Sequence, residues 1–140
     1  MDLPQLKTSL KAHEGFRGQA YADTKGKQTI GFGRNLTDNP LTEEEAWYLS
    51  QLWINDAIVH APLLVHAWDK LGDARQNVLI ELIYNIGIVS ALKFQKMRVA
   101  LDAGHWFEAA DELLDSQWAK DVGSHRAGDM ATQLRTGNFV

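Results

Sequence analysis

Residues 13–33 have the sequence HEGFRGQAYADTKGKQTIGFG, which places the carboxylic acids Glu14 and Asp23 and the hydroxyl of Thr29 among closely spaced glycines. The alternation of apolar and polar residues predicts a β-hairpin with strands over Gln19–Tyr21 and Gln28–Phe32. Lys25-Gly26-Lys27 supplies the turn between them. This stretch therefore predicts a small β element near the N-terminus.

Glu14, Asp23 and Thr29 are the candidate catalytic groups of this stretch. Glu14 lies at the negative end of a predicted helix and near Phe16, and both features favour the protonated form of a carboxyl group. Asp23 lies beside the lysines of the turn, which favour an ionised carboxylate. Such a contrasting pair can cleave a glycosidic bond, with one group protonating the leaving oxygen and the other activating water or attacking directly. The Thr29 hydroxyl is placed to hold that water. The alternative is an exposed glutamate and a turn aspartate without catalytic roles.

The order Glu14, eight residues, Asp23, five residues, Thr29 resembles the catalytic signature of phage-type (T4-like) lysozymes, glycoside hydrolase family 24. The glycine pair of Ile30-Gly31-Phe32-Gly33 follows, as in that family. Four later segments resemble the family in the same order: Tyr84–Gly87, Trp106–Ala110, Ser116–Trp118 and Arg135–Gly137. The resemblance therefore covers nearly the whole chain.

The resemblance implies a lysozyme-like α+β fold, mostly α, in one domain over residues 1–140. A small N-terminal lobe, about residues 12–60, would contain the β-hairpin and a long linking helix. Residues from about 61 to 140, together with the N-terminal helix, would form a helical lobe. The family fold places the cleft between the two lobes.

Capping signals and hydrophobic periodicity predict the helices of the N-terminal half. Asp2 caps a first helix with Pro4 in its first turn. Its apolar stripe, predicted to be buried, consists of Leu3, Leu6, Leu10 and His13. The sequence Thr42–Glu45 has the form of a capping box and starts the long helix, which Pro62 bounds. The inward stripe predicted for this helix consists of Ala46, Leu49, Trp53 and Ala57.

The second half of the sequence predicts a helical lobe around one central element. The segment 74–86 is apolar on most sides, and Asp73 with Gln76 is its predicted cap. Further helices are predicted over Leu92–Asp102, Trp106–Leu114 and Ser124–Arg135. The helical spacing of Trp106 and Trp118 favours core positions over sugar-stacking ones.

The resemblance also implies a substrate and roles. The substrate would be bacterial peptidoglycan, cleaved at the β-1,4 bond between N-acetylmuramic acid and N-acetylglucosamine, as in an endolysin. Glu14 would be the general acid, Asp23 the base that activates water, and Thr29 the group that positions it. Sugar contacts would fall on Asn35, Tyr84, Met97 and Glu112.

At three positions this sequence has a residue that differs from the one common in the family. Arg34 stands where the family often has histidine, Met97 where it can have serine, and Glu112 where it can have asparagine. Tyr84 equally fits a core position with a paired hydroxyl. A catalytically silent wall-binding or structural module on the same fold and a lytic transglycosylase remain alternatives.

Composition limits the other function classes. The net charge is −4, with +2 in residues 1–40 and −6 in the remainder, so no basic stripe indicates nucleic-acid binding. The chain contains no cysteine and no spacing typical of metal ligands, so we expect neither a metal nor a cofactor. No apolar run has the length of a signal peptide or a membrane span. Together with the resemblance, this implies a monomer that stays in the host cytoplasm until a holin or a phage particle brings it to the cell wall.

Overall fold

The computed structural model describes all residues, 1–140, and contains seven α-helices and a three-stranded antiparallel sheet. The elements are α1 Leu3–Glu14, β1 Arg17–Ala22, β2 Gln28–Gly31, β3 Arg34–Asn35, α2 Glu43–His60, α3 Asp73–Ala91, α4 Gln95–Asp102, α5 Trp106–Leu114, α6 Gln117–Val122 and α7 Ser124–Thr136. The predicted mostly helical α+β class is confirmed. By internal packing the chain divides into an N-terminal unit, Met1–Tyr48, and a helical unit, Leu49–Val140.

The sheet of the N-terminal unit has the strand order β1-β2-β3. The predicted hairpin is confirmed, with Tyr21 paired to Thr29 and an irregularity in β1 between Arg17 and Tyr21. The third strand, which pairs Thr29 with Asn35, was not predicted. A strand of two residues is too short to produce an alternation signal.

The helix starts of the N-terminal unit are confirmed. The Asp2 carboxylate accepts a hydrogen bond from the backbone N–H of Gln5 at 3.0 Å. The capping box of α2 is reciprocal: Glu45 N–H donates to Thr42 Oγ1 at 3.2 Å, and Thr42 N–H donates to Glu45 Oε2 at 2.9 Å. Local polar side chains thus define where both helices begin.

Of the two predicted apolar stripes only Ala57 is buried, so the prediction is wrong for the stripe of α1 and for most of the stripe of α2. No residue of α1 is buried: Leu3, Leu6 and Leu10 are 49%, 45% and 46% exposed, and His13 is exposed as well. In α2 only Ala57 is buried, whereas Leu49 and Trp53 are exposed. Hydrophobic periodicity identifies the apolar face of a helix, but it does not show whether another element packs against that face.

The core lies in the helical unit. Its largest fully buried side chains are Leu64, Leu71, Val78, Leu79, Leu82, Met97, Leu101, Leu113, Met130 and Leu134. Trp118 is buried with them and donates through Nε1 to Asn85 Oδ1 at 2.7 Å. Trp106 packs against this core, and the Arg75 guanidinium lies 4.1 Å from its ring centroid. The core positions predicted for both indoles are confirmed.

The boundaries of α3 differ from the prediction. The helix runs through to Ala91, and Gly87, with φ 76°, interrupts it just after the predicted end. The predicted Asp73–Gln76 cap is wrong: Gly72 is the N-cap residue, and Gln76 Nε2 instead donates to the carbonyl of Trp68 at 3.0 Å. No single helix is long and apolar enough to cross a membrane, and only the bent pair of α3 and α4 passes on length and composition.

Candidate active site

Glu14 is the last residue of α1 and lies against Gly33. A Cβ atom added to Gly33 would lie 2.5 Å from Glu14 Oε2 and 3.0 Å from its Cδ. The bare backbone of Gly33, at φ 76°, therefore leaves the space that the carboxyl group occupies. Glu14 is exposed, and Phe16, itself 65% exposed, packs on Phe32 at 5.4 Å between ring centroids. The apolar enclosure predicted for Glu14 is thus not formed.

Asp23 is held by the turn that follows β1. Its Oδ1 atom accepts hydrogen bonds from the backbone N–H groups of Lys25 and Lys27, both at 2.8 Å. The lysine ammonium groups do not pair with it, because Lys27 Nζ bonds to Asp38 Oδ1 at 2.9 Å. The predicted cationic neighbours are therefore replaced by two fixed backbone donors. Oδ2 has no hydrogen-bond partner in the chain and remains available to a water molecule.

Thr29 is the only buried polar residue of the protein, at 4% exposure. It lies in the central strand β2, and its hydroxyl donates to the carbonyl oxygen of Lys27 at 3.1 Å. The same carbonyl accepts the Asp23 N–H at 2.9 Å. Lys27 therefore binds both Asp23 and Thr29 through its backbone, which gives these two side chains a common support.

Asn35 lies on β3, directly across from Thr29. Its Nδ2 donates to Asp38 Oδ2 at 2.9 Å, and its Oδ1 accepts the Asp38 N–H at 3.0 Å. The pKa of Asp38 is lowered, first by its hydrogen bond from Lys27 and then by that from Asn35. These bonds connect the predicted sugar contact to the turn that holds Asp23.

Arg34 connects the sheet to the start of α2. Its guanidinium forms a two-point contact with the Glu45 carboxylate, at 3.0 and 3.1 Å, and donates to the carbonyls of Asn39 and Pro40. The backbone N–H of Thr42 and then Arg34 lower the pKa of Glu45. An arginine thus fastens the whole loop between β3 and α2, at the position where the family often has histidine.

The other predicted sugar contacts lie in the helical unit. The Tyr84 hydroxyl donates to Ser50 Oγ at 3.4 Å, and the residue is 44% exposed, so it is not a core residue. Met97 is 1% exposed and packs in the core. Glu112 is partly exposed, and its carboxylate lies 3.9 Å from Lys96 Nζ. Met97 and Glu112 both line a groove of about 670 Å³, which Tyr84 does not line.

Sequence reasoning did not predict how three residues organise the N-terminal part of the site: Gly33, Lys27 and Asp38. The contribution of Lys27 to Asp23 and Thr29 comes from its backbone, which no side-chain pattern reveals. The second glycine of Gly31-Phe32-Gly33 was noted only as part of a motif. No group of three or more His, Cys, Asp or Glu side chains is arranged to hold a metal ion.

The profile of the family described as phage lysozyme matches residues 11–133. The chain belongs to the phage lysozyme family. The members of this T4-type family are glycoside hydrolases, so the family and the enzyme class predicted from the sequence are confirmed.

The proteins that are similar to this phage lysozyme-family chain are of two kinds, lysozymes and a phage spike protein. The chain is 24% identical to a probable T4-type lysozyme 1 of Dictyostelium discoideum, over 96% of this chain and 95% of the relative. It is 26% identical to a probable T4-type lysozyme 2 of the same organism, over 81% and 84%. It is 28% identical to the pre-baseplate central spike protein Gp5 of Enterobacteria phage T4, over 93% of this chain. That match spans only 27% of the length of the spike protein.

Proposed function

We propose that this chain is a muramidase that hydrolyses the β-1,4 bond between N-acetylmuramic acid and N-acetylglucosamine in bacterial peptidoglycan. Glu14 acts as the general acid, Asp23 as the base that activates water, and Thr29 as the group that positions this water. The family match supports the reaction class. The observation that carries the residue roles is the asymmetric binding of Asp23, whose Oδ1 takes two backbone N–H groups while Oδ2 has no partner.

That asymmetry suits a base. The two bonds at 2.8 Å fix the direction of the carboxylate, so the second oxygen is oriented without the help of a mobile side chain. The Thr29 hydroxyl uses its hydrogen on the Lys27 carbonyl, which leaves its oxygen to accept a hydrogen bond from water. Asp23 can then take a proton from the water as it attacks the sugar, while Glu14 donates its proton to the leaving oxygen.

This arrangement favours single displacement over a covalent intermediate. A carboxylate that attacks the sugar directly has no use for a hydroxyl that holds water, whereas an inverting enzyme needs both groups on the water side. We therefore expect inversion, with the α-anomer formed first from the β-linked substrate. NMR of the product during the first turnovers distinguishes the outcomes, and initial formation of the β-anomer would contradict the water route.

The decisive experiment is digestion of purified peptidoglycan, followed by mass analysis of the chain ends. Hydrolysis gives reducing ends, a lytic transglycosylase gives anhydro ends, and a silent wall-binding module gives no products. Glu14→Gln and Asp23→Asn should each lower the rate by at least about 100-fold, the usual contribution of acid–base groups. Glu44→Gln is the matched control, since Glu44 is an exposed acid without an ion-pair partner. A folded Glu14→Gln protein with near-normal activity would refute the assignment.

The proposal includes peptidoglycan glycan strands as the partner and the cell wall as the place of action. The chain would reach the wall from the host cytoplasm with the help of a holin, or as part of a phage particle. The relative named as a pre-baseplate central spike protein favours the particle route. Fractionation of infected cells and of purified particles with an antibody against the chain separates these routes.

A further inference from the structure

We propose that Asp38 is a positioning residue that fixes the side-chain amide of Asn35 for substrate binding, an inference that rests on the muramidase function proposed above. Asp38 lies three residues after Asn35 in the loop that leaves β3, and it contacts this side chain at two points. It is not itself a catalytic residue. It acts through Asn35, and Lys27 holds it in place.

The two contacts determine which way the Asn35 amide faces. Oδ1 accepts the backbone N–H of Asp38, and Nδ2 donates to the Asp38 carboxylate. Rotation of the amide by half a turn would place Nδ2 against an N–H donor and Oδ1 against a carboxylate, and both encounters are repulsive. Asp38 therefore permits only one of the two amide orientations.

In this orientation Asn35 offers one free hydrogen on Nδ2. The side chain is partly exposed on β3, across from Thr29, so this hydrogen is accessible from outside the sheet. The group that Asn35 binds through this hydrogen is therefore an acceptor oxygen of the glycan, such as an acetamido carbonyl or a ring substituent oxygen. In the flipped orientation the same position would instead favour a donor.

Lys27 holds Asp38 and at the same time supports the catalytic side chains. Its ammonium takes the carboxylate oxygen that Asn35 leaves free, at 2.9 Å. Its backbone N–H and C=O bind Asp23 and Thr29. Lys27 therefore contacts both Asp38, which orients the proposed substrate contact, and the proposed catalytic groups. The backbone bonds do not depend on Asp38, so loss of Asp38 should affect substrate binding more than chemistry.

The kinetic test is Asp38→Ala, assayed on soluble peptidoglycan fragments. We expect KM to rise about 3- to 10-fold, the range for losing one ordered hydrogen-bonding group, with kcat changed less than about twofold. Glu44→Ala is the matched control, because it removes the same charge from an exposed acid in the same unit. Its KM should stay at the parent value. An equal rise in both variants would indicate a general charge effect and overturn the proposal.

The side chain of Lys27 supplies a second test. Lys27→Met should raise KM less than Asp38→Ala, since the Asn35–Asp38 bonds remain, and Lys27→Arg should restore the parent KM. The double variant Lys27→Met/Asp38→Ala should have the same KM as Asp38→Ala alone, because the Lys27 side chain affects KM only through Asp38. Additive losses would show that Lys27 does not act through Asp38.

An NMR measurement separates this proposal from the proposed function. The side-chain NH₂ resonances of Asn35, identified by their loss in Asn35→Asp, should shift and exchange faster in Asp38→Ala but not in Glu44→Ala. Unchanged resonances would overturn the positioning role even in an active enzyme. A parent protein that does not cleave peptidoglycan would refute the muramidase proposal, and the role of Asn35 in binding with it. An active parent with an unchanged KM in Asp38→Ala would refute the positioning role alone.

Discussion

The helical unit and the N-terminal unit of this phage lysozyme-family chain are stabilised in different ways. Every buried apolar residue lies between Ala57 and Leu134, in the helical unit. The N-terminal unit contributes a single buried residue, Thr29, which is polar. Its parts are held instead by hydrogen bonds and ion pairs, chiefly around Asp23, Asn35 and Arg34. The unit that carries the proposed acid and base is therefore the one without a hydrophobic core.

This difference shows how a small unit without a hydrophobic core can orient polar side chains toward a polar substrate. Apolar burial is strong but not directional, whereas a hydrogen bond fixes the direction of its donor and acceptor. Each bond contributes little to stability when it is exposed, so several must act on the same groups. Lys27, which binds Asp23, Thr29 and Asp38, is the clearest case.

The largest expected effect tests whether burial in the helical unit contributes more to the free energy of unfolding than burial in α1. Leu82 is fully buried in α3, so Leu82→Ala should lower the free energy of unfolding by about 2–5 kcal/mol through lost burial and the cavity left behind. Leu10→Ala makes the same chemical change at a position 46% exposed in α1 and should cost no more than about 0.5 kcal/mol. Denaturant titration of both variants measures the difference. Similar losses would mean that α1 is buried as deeply as the core, and the contrast between the units would fail.

The next effect concerns the space beside Glu14. Gly31 and Gly33 have nearly the same positive φ, 69° and 76°, so alanine introduces similar backbone strain at each. A Cβ at Gly31 meets nothing within 4 Å, whereas one at Gly33 would lie 2.5 Å from Glu14 Oε2. Gly33→Ala should therefore displace the carboxyl group and reduce activity by about 10- to 100-fold relative to Gly31→Ala.

Thermal unfolding provides the control for the glycine pair. The two variants should lose similar stability, since the strain is shared and Glu14 is an exposed side chain that can move. Equal activity in the two variants would mean that Gly33 does not determine where the Glu14 carboxyl lies.

The same contrast explains how much of the fold was predictable from the sequence. In the helical unit, apolar periodicity located α5 over its exact range and α7 to within one residue at its C-terminal end. The periodicity predicted these helices correctly because their apolar faces pack in the core of the helical unit. In α1 the same signal, at Leu3, Leu6 and Leu10, predicted burial that the structure does not contain. Side-chain caps were predictable in the N-terminal unit, as Asp2 and the Thr42–Glu45 box show, because they depend only on neighbours in sequence. The cap predicted in the helical unit, Asp73 with Gln76, was wrong.

The candidate site was predictable in its residues but not in its contacts. The resemblance of their spacing to the family signature selected Glu14, Asp23 and Thr29, and their catalytic roles stay a prediction. The partners of Asp23 are backbone N–H groups where lysine ammonium groups were expected. Whether a lysine side chain pairs with Asp23 or Asp38 depends on the shape of the turn, which composition does not determine.

The smallest expected effect is the pH dependence of the Arg34–Glu45 contact. Glu45 has a pKa below the ordinary value of 4.5, first because it accepts the Thr42 backbone N–H and then because it pairs with Arg34. A carboxyl group whose pKa is lower in the folded state stabilises the fold fully above its unfolded pKa. That contribution is lost as the pH falls through the folded value. Glu45→Gln should therefore lower the melting temperature by a few degrees at neutral pH, and the difference from the parent should shrink below pH 4.5.

Two controls show whether this small effect comes from the proposed contact. Glu44→Gln removes a neighbouring acid whose side chain makes no hydrogen bond or ion pair, so it should show only the smaller loss that the helix dipole accounts for. Arg34→Met removes the cation and its bonds to the Asn39 and Pro40 carbonyls but keeps the Thr42 cap, so only the pH-dependent part of its loss should be smaller than that of Glu45→Gln. If the parent and Glu45→Gln differed equally at pH 3 and pH 7, the ionised carboxylate would have no part in fastening the loop. The contribution of Glu45 to stability would then come from contacts that its neutral side chain also makes, and not from its charge.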